Sequence, residues 1–193
     1  MRFYFSRIET RDILISVAVL CFVFAYPEFL NEPAFLLTSF LAVGIAFIGH
    51  ELSHKFMAIR EGFWAEYRMW PQGILMAVVL MIATGGRFIF AAPGAVYFRE
   101  NWQQRGPRRK KLLRVSMAGI TFNAALMTAF IAAYAATGYG LLSYMATINA
   151  WLALFNLIPI GGLDGQKLFA LDKRVWGALL AVSAAGFAIL LFI

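Results

Sequence analysis

Residues 34–60 read AFLLTSFLAVGIAFIGHELSHKFMAIR, and no charge appears among them before His50. At 1.5 Å per residue, a continuous helix of roughly 27 residues is about 40 Å long, enough to cross a bilayer with a turn to spare. Glu61 and Gly62 would stop it. The stretch sets the class of the protein: an apolar span that ends in a cluster of ionisable side chains, where such groups are costly and usually functional.

Composition points the same way. Hydrophobic residues make up 62% of the 193, mean hydropathy is +0.73, and 14% are charged, against roughly 25% in an average globular domain. So small a soluble domain could not hide that much apolar surface. The formal charge of +7 gathers in places, most densely in RGPRRKKLLR at 105–114. Beside apolar spans such a run reads as a cytoplasmic anchor facing anionic lipid rather than a nucleic-acid site. Cys21 is the only cysteine, which excludes a disulfide framework and a cysteine-based metal site.

Outward from 34–60, a first apolar stretch covers 13–26 and ends at Pro27; with no small-residue cleavage motif after it, it reads as a retained span. The connector PEFLNEP carries Glu28 and Glu32 and no base. No charge occurs over 115–163, where TGYG at 137–140 divides two spans, 111–136 and 142–158. Pro159, Gly161 and Gly162 break the second before Asp164. QKLFALDKR leads to a last span at 175–193. The sequence thus predicts an α-helical integral membrane protein of about five transmembrane helices in a single domain, 1–193. With Arg2, Arg7 and Arg11 inside, both basic loops lie inside, the acidic connector and the C-terminus outside.

Residues 62–100 differ. The apolar run 74–84 is too short to span, and a crossing there would put the 105–114 run opposite Lys55, Arg60 and Arg68. Gly85-Gly86 and Pro93-Gly94 are turn signals between strand-like runs. The expectation is a membrane-associated antiparallel sheet of about four strands around 62–100.

His50-Glu51-Leu52-Ser53-His54 matches H-E-x-x-H. Residues four apart lie about 40° apart around a helix and about 6 Å along it, so two imidazoles converge on one ion while Glu51 borders the same face. Zinc takes such nitrogens with one carboxylate and keeps a position for water. These are the only histidines, so a third protein ligand must be acidic. Asp164 is the best candidate: it follows a long apolar span, sits in a broken segment and has no adjacent cation. Its alternative role is a helix cap or turn former. Lys55, next to His54, either tunes the site or snorkels to the interface.

HELSH followed by NLIPIGGLDG at 156–165 resembles the site-2 proteases, intramembrane zinc metalloproteases whose second signature is N-x-x-P and then D-G. Asn156, Pro159, Asp164 and Gly165 match it in order, and Gly119 to Asn123 matches a further G-x-x-x-N feature. The resemblance covers 50–165. It implies one zinc ion on His50, His54 and Asp164, Glu51 as general base, and a membrane-associated sheet between the motifs. It departs where Gly161-Gly162 stand in place of proline, expected to leave that loop more mobile, and no PDZ-like or nucleotide-sensing domain is visible. Asn123 and Asn156 are candidates for holding substrate or its oxyanion. The expected activity is hydrolysis of transmembrane or membrane-associated protein substrates in the cell membrane, with zinc nearer the cytoplasmic face. The competing readings are an inactive zinc-binding scaffold and a metal transporter.

Overall fold

The computed structural model describes residues 3–99 and 108–193; Arg2, Glu100 and 105–107 of the basic run lie outside them. The chain is mostly helical. Helix α1 (Arg7–Ala25) starts at Ser6, whose hydroxyl accepts the Glu9 N–H at 3.1 Å. Helix α2 (Phe35–Val43) runs through a π-helical turn (Gly44–Ile48) into α3 (Gly49–Arg60), giving one apolar rod of 26 residues. After strand β1 (Trp64–Met69), helix α4 (Pro71–Thr84) and strand β2 (Gly94–Arg99) come α5 (Arg108–Thr137), α6 (Gly140–Asn156), the short α7 (Asp164–Leu171) and α8 (Lys173–Leu190). Helix α5 packs most extensively against α6 and α3. The main core joins Leu20 of α1, Phe47 of the π turn, Tyr67 of β1 and Leu152 of α6.

Three helices are long and apolar enough to cross a membrane: Phe35–Arg60, Arg108–Thr137 and Lys173–Leu190. The other two expected spans fold as α1 and α6. The first turns of α1 hold Arg7, Glu9, Arg11 and Asp12, and α6 has 17 residues. Five crossings are therefore not established by length and composition.

The expected sheet is smaller than the sequence implies. β1 and β2 pair antiparallel with Trp64 opposite Arg99 and Met69 opposite Gly94, and no further strand joins them among the described residues. The run 74–84 is helical, not extended, and 87–92 forms no strand. The reason is local. Pro71 occupies the first helical turn, where its fixed φ helps. Leu, Met and Ala outweigh the β-branched Val78, Val79 and Ile82, and Gly85 ends the helix at φ 62°. At 14 residues α4 does not cross, so the chain returns and Trp70 N–H donates to Pro93 O at 2.6 Å at its neck.

The outer edge of β1 is closed by α1. Tyr67 N–H donates to Glu9 Oε1 at 3.0 Å and Met69 N–H to Asp12 Oδ2 at 3.2 Å. Those donors point away from β2, so the opposite residues Val96 and Gly94 turn their backbone groups to the free side of β2. Lys55 does not snorkel. It is buried, donating to Glu9 Oε2 at 2.5 Å and Tyr4 O at 2.6 Å, with the Phe5 ring centroid 4.4 Å away.

Candidate metal centre

His50 and His54 lie one turn apart on α3, both buried. Their side chains are held from behind. His54 Nδ1 meets the Val115 carbonyl of α5 at 2.7 Å; because that oxygen can only accept, Nδ1 carries the proton. His50 Nδ1 meets Asn123 Oδ1 at 2.5 Å. Asn123 is oriented in turn, its amide donating to Ala46 O in the π turn at 3.0 Å and to Asn149 Oδ1 at 2.9 Å. With both Nδ1 atoms donating, each neutral imidazole turns the lone pair of Nε2 inward.

Asp164 completes the group. It is the first residue of α7, and its Oδ2 lies 2.7 Å from His54 Nε2 and 3.3 Å from His50 Nε2, the two nitrogens being 3.0 Å apart. Among the described residues its carboxylate meets His50, His54 and Lys167 and accepts no backbone N–H. Contrary to the expectation of no neighbouring cation, Lys167 one turn on pairs with Oδ1 at 3.2 Å and leaves Oδ2 to face the imidazoles. Two glycines permit this approach. A Cβ on Gly119 would strike Nε2 of both histidines, and one on Gly165 would strike the Leu157 backbone. Gly161 and Gly162, at φ 65° and 83°, take the left-handed conformation that favours glycine in the preceding loop.

The donor set fits zinc. Two lone-pair nitrogens and a carboxylate oxygen facing one another repel unless a cation lies among them. The edges of a tetrahedron with bonds of about 2.0–2.1 Å are roughly 3.3 Å long, close to the observed separations. Among the described residues His50, His54 and Asp164 alone form such a group. Glu51 lines the same cavity of about 40 Å³, with Asn156, Lys167 and β2 residues Gly94, Val96 and Phe98; the Glu51 carboxylate accepts no hydrogen bond from a described residue. Asn156 has one amide hydrogen committed to Leu152 O at 3.0 Å. Asn123 lies behind His50, with both amide hydrogens used, so it has no donor left for an oxyanion. Sequence reasoning missed Lys167, Asn149 and the Val115 carbonyl. Only Lys167 left a trace, as a base three residues after Asp164 on a helix.

Two convergent histidines, one carboxylate as the third donor and an adjacent glutamate form a candidate metallohydrolase centre. The chain is 35% identical over 179 residues, 90% of each chain, to a curated protein of Methanocaldococcus jannaschii named "Putative zinc metalloprotease MJ0611". It belongs to that family of zinc metalloproteases. No protein-family model matches the chain, and no solved structure matches it.

Proposed function

We propose that the chain is an intramembrane zinc endopeptidase of the site-2 type, hydrolysing peptide bonds of transmembrane or membrane-associated proteins. The observation that carries this reading is the position of the donor set: two ligands lie in the last turns of a helix apolar enough to cross a membrane, and the third starts α7, just after α6. His50, His54 and Asp164 would hold the ion, which when bound supplies Lewis-acid activation of water and of the scissile carbonyl. Glu51 accepts a proton from the attacking water and returns it to the amine nitrogen as the C–N bond breaks. Lys167 keeps Asp164 oriented, and the Nδ1 partners keep both imidazoles in the required tautomer.

A transmembrane substrate helix satisfies its own amides and must open before attack. The free edge of β2 borders the cavity, and an extended segment laid along Gly94, Val96 and Phe98 gains the backbone hydrogen bonds that unwinding releases. With the basic ends of the helices inside, the zinc site lies nearer the cytoplasmic face in a multi-pass protein of five crossings.

The test is reconstitution in liposomes with a panel of single-span peptides and, separately, soluble peptides. The expected result is cleavage within or beside the span, abolished by chelation and restored by zinc. Cleavage of soluble peptides alone would sink the intramembrane reading. Zinc uptake into the vesicles without any cleavage would favour a transporter.

A further inference from the structure

A second cavity lies outside the metal centre, on the opposite flank of α3. It is an open groove of about 620 Å³ between α3 and α5, floored by Phe56, Met57, Met117, Phe122 and Ala125. Both walls belong to helices apolar enough to cross a membrane. At one end stand Arg60, Arg114 and Glu61. Arg114 pairs with Glu61 at 2.9 Å, while Arg60 is exposed and has no partner among the described residues.

We propose that this groove binds one anionic phospholipid, its phosphate on Arg60 and Arg114 and one acyl chain along the apolar floor. The dimensions fit. From Arg114 to Ala125, α5 rises about 16 Å, the depth of one leaflet of a hydrocarbon core about 30 Å thick. An acyl chain is a thin apolar rod of about that length. Charge selects the headgroup: two guanidinium groups against one carboxylate leave a positive mouth, and guanidinium matches phosphate oxygens in pairs. An apolar groove between membrane-crossing helices is filled by lipid, and the mouth decides which lipid.

The groove shares its walls with the metal centre. Ser53 flanks His54, and Phe122 packs against Gly49 beside His50. The inference rests on the membrane reading of the chain but involves neither zinc nor cleavage, so its failure leaves the protease reading standing.

Native mass spectrometry of the full chain in neutral detergent tests it, with added dioleoylphosphatidylglycerol or dioleoylphosphatidylcholine. The expected result is one tightly held phosphatidylglycerol, bound several-fold more strongly than phosphatidylcholine. Removing both arginines (Arg60→Gln with Arg114→Gln) should weaken phosphatidylglycerol roughly 25-fold, at about fivefold for each basic residue. Arg60→Gln alone breaks no described contact and should cost about fivefold, which keeps the test intact should the double variant misfold. Thr121→Trp, which fills the groove, should displace both lipids. Equal binding of the two lipids, or unchanged binding in Arg60→Gln, would overturn the proposal. So would full displacement by inorganic phosphate, or a second copy of the chain in the groove that Thr121→Trp dissociates.

Discussion

Asn123 shows how one side chain can set the chemistry of another. Its oxygen accepts a hydrogen bond from His50 Nδ1–H, and its amide donates to Ala46 O and Asn149 Oδ1. Asn123→Ala should weaken zinc binding about 10–100-fold while leaving helical content unchanged, as competition with a fluorescent chelator would show. Gly119→Ala should abolish tight zinc binding, since its Cβ meets both Nε2 atoms. Lys55→Met strands buried Glu9 and should lower unfolding stability by about 3–5 kcal/mol; adding Glu9→Gln should recover most of that loss. Glu66 is the acid-sensitive group. Burial opposes its charge, but hydrogen bonds from Ser6 and Arg68 prevail and depress its carboxyl below the ordinary value. A depressed carboxylate contributes stability above the unfolded pKa of about 4.3 and loses it as pH falls through the lower folded value. The melting temperature of Glu66→Gln should therefore lie below wild type at neutral pH and converge with it in acid. At this scale the cluster of possible metal donors was legible in the sequence, because spacing by four and a missing third donor are properties of residue types. The behind-ring partners were not, because which side of α5 faces His50 depends on helix rotation.

The π turn at Gly44–Ile48 sits directly before the metal-binding helix and presents the Ala46 carbonyl to Asn123. It sets the rotation of α3 relative to α2. Deleting Ile45 should turn the two segments by about 100° relative to each other and abolish zinc binding with circular dichroism little changed; retained zinc would show that the register is not set there. For β2, Val96→Pro removes one N–H from the free edge and none from the β1 ladder. Cleavage should fall with zinc content unchanged. The strands were legible from their turn signals and aromatic runs. Helix α4 was not, because a short apolar run of mixed branched and unbranched residues fits either period, and Pro71 and Gly85 at its ends decided it.

Across the whole molecule the basic ends of the helices gather on one side. Arg109 of α5 donates to Leu171 O at the end of α7 at 3.1 Å, and Arg114 reaches Glu61 beyond α3. At the far side Tyr144 donates to Phe24 O and Tyr134 to Ile193 O. The three long apolar helices were legible from hydropathy. The count of crossings was not, because α1 carries buried acids that serve β1 and Lys55 rather than a lipid face. The central claim is that this fold brings a general base to a zinc site to cut peptide bonds. Its most direct test is cleavage of a single-span substrate by purified Glu51→Gln carrying one bound zinc, beside wild type. The account predicts full zinc occupancy and no product above background; product at the wild-type rate would contradict it.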